Sequence, residues 1–84
     1  MTRVTVTPEA AAQFEGLPRP IQTRIVRLFS RLRQWPHVSG AKPLRGSLLG
    51  RYRLRTGDYR LQFCVNGDEV RIEKIGHRDR FYEE

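Results

Sequence analysis

The chain opens on a period of two. Val4 and Val6 alternate with Arg3 and Thr5, which predicts a short strand with one buried face. The spacing then lengthens. Thr7-Pro8-Glu9 reads as a helix start: threonine caps free N–H groups, proline suits the first helical position, and glutamate favours the positive end of the dipole. This helix carries Ala10, Ala11, Ala12 and Phe14 and stops at Gly16, with Leu17-Pro18-Arg19-Pro20 as the turn. A second helix is the clearest element. Ile21, Ile25, Leu28, Phe29, Leu32 and Trp35 recur at three and four to form one apolar stripe, Arg24, Arg27, Arg31 and Arg33 lie mainly off it, and Pro36 ends it.

Residues 36–50 lose all periodicity, and Pro36, Ser39, Gly40, Pro43, Gly46, Ser47 and Gly50 mark a long irregular connection around Lys42-Pro43-Leu44-Arg45-Gly46. Period two then returns in three strands, at about 51–55, 58–65 and 69–75, with Thr56-Gly57 and Asn66-Gly67 as the turns. The expected fold is α+β, in the order β-α-α-β-β-β: an antiparallel sheet with the two N-terminal helices packed on one face. No repeat or composition break divides the chain, so residues 1–84 are expected to form a single domain.

Two-residue loops would set Arg55 opposite Asp58, Arg53 opposite Arg60 and Arg51 opposite Gln62. The second hairpin would then set Arg60 opposite Glu73, Gln62 opposite Arg71 and Phe63 opposite Val70. Alternation places Tyr52, Leu54, Tyr59, Leu61, Phe63, Val70 and Ile72 under the helices. Arg51, Arg53, Arg55, Arg60, Arg71 and Glu73 share the other face. One glutamate and one aspartate cannot balance five arginines, and opposed like charges destabilise a sheet. Such a face suits phosphates.

Composition agrees. Sixteen Lys and Arg against nine Asp and Glu give a formal charge of +7, and all but Lys42 and Lys74 are arginine. A surplus of that size favours a polyanionic partner, nucleic acid or an acidic protein. Cys64 is the single cysteine, so no internal disulfide forms and a reducing cytoplasm is expected. Cys64, His37 and His77 show no metal-ligand spacing, so no metal or other cofactor is expected. No apolar run approaches the ~20 residues of a membrane span, nor does the N-terminus read as a secretion signal.

The C-terminal run Gly76-His77-Arg78-Asp79-Arg80-Phe81-Tyr82 returns to the strand ends with an imidazole, two guanidinium groups and aromatic rings. Together with Lys42-Pro43-Leu44-Arg45-Gly46, Gly50-Arg51-Tyr52-Arg53-Leu54-Arg55, Gly57-Asp58-Tyr59-Arg60-Leu61 and Leu17-Pro18 at the helical bend, it resembles the RelE/ParE toxin superfamily, in its RelE-like branch, over essentially the whole chain.

The resemblance implies the toxin of a type II toxin–antitoxin pair, an mRNA interferase that enters the ribosomal A site and cleaves the bound codon. The RNA's 2′-hydroxyl attacks the adjacent phosphate, leaving a cyclic phosphate and a free 5′-hydroxyl. The family's functional positions fall on Arg53, Arg55, Arg60, Arg78 and Tyr82. The best-understood relatives have lysines at the first two, one of them proposed as general base. Arg60 and Arg78 would stabilise phosphate charge, Arg78 would also serve as a proton donor, and Tyr82 would stack on or orient the substrate. Arginine scarcely releases its proton, so Arg53 and Arg55 make poor bases. His77 is the candidate for that role, with Glu73 behind it, though Glu73 also reads as the salt-bridge partner of Arg60. Arg51, Arg45, Lys42, Arg71 and Arg80 would add RNA contacts.

Two other readings stay open: a ParE-like toxin acting on DNA gyrase without nuclease chemistry, and a catalytically weak relic that only binds antitoxin or RNA. All three imply a cognate antitoxin, expected to be acidic. The first adds the ribosome and mRNA as partners, and none calls for a membrane or a metal.

Overall fold

A computed structural model describes residues 2–81 of the chain. The elements are β1 (Arg3–Val6), α1 (Pro8–Glu15), α2 (Arg19–Leu32), β2 (Lys42–Pro43), β3 (Arg51–Thr56), β4 (Tyr59–Asn66) and β5 (Glu69–His77), with a 3-10 turn at Gly46–Leu48. The α+β class and both helices are as expected. The sheet has five strands in the order β1-β5-β4-β3-β2. Its β3-β4-β5 meander is antiparallel, but β1 pairs with β5 in parallel, so the whole is a mixed sheet. The two-residue β2 adds an edge beside β3.

The helix ends follow their caps. Thr7 Oγ1 accepts the Ala10 N–H at 3.1 Å, Pro8 occupies the first turn, and Gly16 ends α1. Thr7 Oγ1 also donates to the Glu73 carbonyl at 3.4 Å, tying the cap to β5. Thr7→Ala is therefore expected to cost about 1 kcal/mol. For a domain of this size that is a fall in Tm of roughly 4–8 °C, readable by calorimetry. Arg19 and Pro20, expected in the turn, already belong to α2, where a proline without an N–H costs nothing in the first turn. Helix α2 ends at Leu32, before Pro36.

The stripe on α2 lands where its spacing directs it. Ile25, Leu28 and Leu32 are buried with Leu54, Leu61, Phe63, Val70, Ile72 and Ile75 from the sheet. Trp35, beyond the helix, closes one end of this core edge-on to Tyr52 and Phe63, with ring centroids 4.9 and 5.3 Å away.

Both hairpin turns sit one residue later than expected, on Gly57-Asp58 and Gly67-Asp68. The reason is the backbone. Only the glycines take positive φ, 59° at Gly57 and 63° at Gly67, as when glycine comes first in a II′ turn. A turn centred on Thr56-Gly57 would push a β-branched residue toward that region. The pairings therefore become Arg55 with Arg60, Arg53 with Gln62 and Arg51 with Cys64. Each partner moves by two positions, so the faces remain as the alternation sorted them.

A β-bulge does change a face. Phe63 pairs with Ile72 but Gln62 with Lys74, leaving Glu73 as the extra residue. Such an insertion resets the alternation of everything after it. Ile75 turns into the core, Lys74 and Gly76 turn to the arginine face, and His77 pairs with Tyr59 on the helix-covered face. The bulge lies where β1 has ended. There Gln13 Oε1 of α1 accepts the Ile75 N–H at 2.8 Å, supplying the partner that a strand would have given.

Candidate nucleic-acid interface

Register sorts the polar face into three cross-strand rows. Toward the Gly67 turn lie Arg51, Cys64, Arg71 and Thr5; in the middle lie Lys42, Arg53, Gln62 and Lys74; toward the Gly57 turn lie Arg55, Arg60 and Gly76. The face thus gathers Lys42, Arg51, Arg53, Arg55, Arg60 and Arg71, all candidates from the sequence. Arg78 sits beside the Gly57 turn, where its N–H donates to the Asp58 carbonyl at 2.7 Å. Arg45 and Arg80 are exposed. Tyr82 lies outside the described residues.

The rows differ in how far their charge is neutralised. In the first, Arg51 Nε donates to Glu73 Oε1 at 2.8 Å and Arg71 pairs with Glu69 at 3.3 Å. In the third, neither Arg55 nor Arg60 has an ion-pair partner among the described residues. Arg78 meets Asp58 and Asp79 only at 3.7 and 3.8 Å through largely exposed side chains, a pairing that water screens. Arg60 Nη1 is buried and has no hydrogen-bond partner among the described residues. A buried donor on a cation costs stability unless something anionic arrives to accept from it. Arg55 and Arg60, directly opposite each other, thus carry charge that no carboxylate among the described residues neutralises.

Glu73 belongs to Arg51, not to Arg60 as the expected register implied. Moving the turn by one residue carries Arg60 away from it, and the bulge re-aims the carboxylate. Gln62 Nε2 donates to the same oxygen at 3.3 Å. Burial alone would push this carboxyl up, but the hydrogen bonds from Arg51 and Gln62, with the Arg51 charge, hold it below the ordinary carboxylate range. The hydrogen bond and charge of Glu73 in turn raise Arg51. Since the folded carboxyl titrates below the unfolded one, the pair stabilises the fold fully above about pH 4.3 and loses its contribution as pH falls further. Glu73→Gln should thus lie below wild type by a constant amount from pH 7 to pH 5. The gap is expected to close in acid, as urea titrations at each pH would show.

Beside this pair runs an open cleft of about 700 Å³ lined by Glu9, Ser47, Leu48, Arg51, Gln62, Glu73 and Lys74. Cys64 stays a thiol at neutral pH, because burial and the neighbouring Glu73 charge push it up. His77 is not part of this surface. Its Nδ1 accepts the Asp79 N–H at 3.1 Å and its ring meets Tyr59 edge-on at 5.1 Å. Without the bulge it would have shared the face of Arg71 and Glu73. No group of three or more His, Cys, Asp or Glu among the described residues is arranged to hold a metal ion.

A family model described as the ParE toxin of a type II toxin-antitoxin system, parDE, matches residues 4–82. The chain belongs to this family. Toxin RelE of Mycobacterium tuberculosis (strain ATCC 25618 / H37Rv) is 37% identical over 73 residues, covering 86% of this chain and 74% of that relative. The toxin-antitoxin complex RelBE2 from Mycobacterium tuberculosis contains a chain 31% identical at a TM-score of 0.81, with 92% of this chain and 91% of that one covered. The isolated toxin RelE of E. coli shares the fold at a TM-score of 0.77 and 17% identity, over 92% of this chain and 84% of that one. The chain is thus a type II toxin of the RelE family within the RelE/ParE superfamily. No helix among the toxin's described residues is long and apolar enough to cross a membrane.

Sequence reasoning missed Lys74 and Phe81 as members of the arginine face. A signal for the first was present. Apolar positions run Val70, Ile72, Ile75, so the period slips from two to three at Glu73-Lys74, which is how a bulge reads in a sequence.

Proposed function

We propose that the toxin is a ribosome-dependent mRNA endonuclease acting in the cytoplasm on RNA laid across its arginine face. The observation that carries this reading is the opposed pair Arg55 and Arg60, which has no ion-pair partner among the described residues and whose Arg60 Nη1 is buried without a hydrogen-bond partner there, beside the turn that holds the Arg78 backbone. A phosphate there would meet guanidinium donors already in place. Attack by the 2′-hydroxyl crowds negative charge onto a five-coordinate phosphorus, and fixed cations lower that barrier most where water is excluded. Arg53 and Lys42, neighbours in the middle row, would hold the flanking phosphates. Arg51, Arg71, Arg45 and Arg80 would add weaker, salt-sensitive contacts. Tyr82 follows the resemblance, as a ring to stack on or orient a base.

Proton removal falls to none of the arginines. Glu73 is too weak a base while Arg51 and Gln62 hold it, and His77 is turned away. The described side chains therefore contribute through positioning and charge. Relatives in the solved structures are complexes with RelB antitoxins, from Mycobacterium tuberculosis and Methanococcus jannaschii among others. A cognate antitoxin, acidic to match the +7 charge, is the corresponding partner of this toxin.

Expression of the toxin alone should arrest growth with new 5′ ends inside translated mRNAs and with plasmid supercoiling unchanged. Arrest with relaxed plasmid and intact mRNA would instead support the gyrase reading that the ParE family description favours. Neither effect would leave a binding-only relic.

A further inference from the structure

Phe81 is 1% exposed, yet it stands apart from the core beneath the helices. Its Cδ1 lies 3.7 Å from the position a Cβ would take on Gly76, and Gly76 pairs with Arg60 on the arginine face. The Lys74 Nζ lies 5.0 Å from the centre of the Phe81 ring, a cation–π contact made from the same face. Phe81 is therefore a buried aromatic on the charged side of the sheet. Three features of the chain create its seat: the bulge turns Gly76 and Lys74 toward it, Gly76 has no side chain to occupy the space, and the backbone turns back at Arg80, whose N–H donates to the His77 carbonyl at 3.0 Å.

We propose that Phe81 is a positioning residue: its seat on Gly76 pins the C-terminal segment to the sheet and so holds Arg78 beside Arg60. The consequence for catalysis rests on the endonuclease reading, whereas the anchoring itself does not. Without this anchor, the contacts left to Arg78 among the described residues would be one backbone hydrogen bond to Asp58 and two long, solvent-exposed ion pairs. A guanidinium on so exposed a tether samples many positions, and a displacement of about 1 Å at a reacting phosphate costs on the order of 10²-fold in rate.

The test compares wild type with Phe81→Ala, Phe81→Leu and Gly76→Val by amide hydrogen exchange and by single-turnover cleavage on programmed ribosomes. Phe81→Ala should lose protection at the Arg78 amide about tenfold or more, while Leu61 and Ile72 exchange as in wild type. Its cleavage rate should fall on the order of 10²-fold with half-saturation little changed. Phe81→Leu, which refills the seat, should recover most of both. Gly76→Val leaves Phe81 unsubstituted but adds γ-methyls beyond a Cβ that would already lie 3.7 Å from the ring, and should reproduce the alanine variant. Unchanged protection at Arg78 in Phe81→Ala would overturn the proposal. So would equal loss at Arg78, Leu61 and Ile72, which marks a residue serving global stability alone. If wild type does not cleave, the endonuclease reading fails and the exchange pattern still decides whether Phe81 is the anchor.

Discussion

Replacing Arg60 by methionine is expected to lower ribosome-dependent cleavage about 10²–10³-fold, the scale set by removing one preorganised donor from a charged transition state. Thermal stability should hold or rise, which distinguishes this substitution from ordinary damage. Methionine keeps a long apolar stem and removes a guanidinium that has no ion-pair partner among the described residues. It also removes the repulsion from Arg55, which is directly opposite across the β3–β4 ladder. Lost activity with retained stability is the signature of charge placed for a ligand at the expense of the fold. Arg71→Met is the contrast. That arginine is paired with Glu69, and its loss should weaken RNA binding modestly without a comparable fall in rate. Single-turnover kinetics and calorimetry on the two variants separate the cases.

The largest expected effect on stability is at Phe63. It is fully buried, stacks on Tyr52 with ring centroids 5.5 Å apart, and receives the edge of Trp35. Phe63→Ala should cost about 3–5 kcal/mol through lost burial and the cavity left behind. A domain this small has about 5–15 kcal/mol in total, so the Tm should fall by roughly 12–40 °C, as thermal melts followed by circular dichroism would show. Its neighbour in sequence, Gln62, points the other way. Gln62→Ala removes the hydrogen bond to Glu73 but leaves Arg51 as partner, so its cost should be far smaller.

The helices were legible because their signals are local. The Thr7 cap, the Gly16 stop and the stripe from Ile21 to Leu32 each act within a few residues, and all appear in the structure. The two faces of the meander were legible for a similar reason, since alternation survives a turn moved by one residue. Pairing partners were not, because they depend on which residue accepts positive φ, and here glycine had to come first in each turn. The parallel placement of β1 beside β5 joins residues more than sixty positions apart, and no local pattern encodes it. At the site, Arg53, Arg55 and Arg60 were found by alternation. Arg78 was placed by resemblance and its location by the Asp58 hydrogen bond. The bulge at Glu73 explains what was misplaced. One extra residue turns His77 away from the phosphate face and brings Lys74 and Gly76 onto it. The burial of Phe81 follows from that reset and was invisible without it.

Cleavage of ribosome-bound RNA by the arginine face is the activity proposed for this toxin. Its most direct test is to incubate purified toxin with mRNA, with and without programmed ribosomes, and to map the ends of the products by primer extension. Cuts are expected only with ribosomes present, leaving cyclic-phosphate and 5′-hydroxyl ends, and should disappear with Arg60→Met. Uncut mRNA on every ribosome preparation, or cuts undiminished in Arg60→Met, would contradict that proposal.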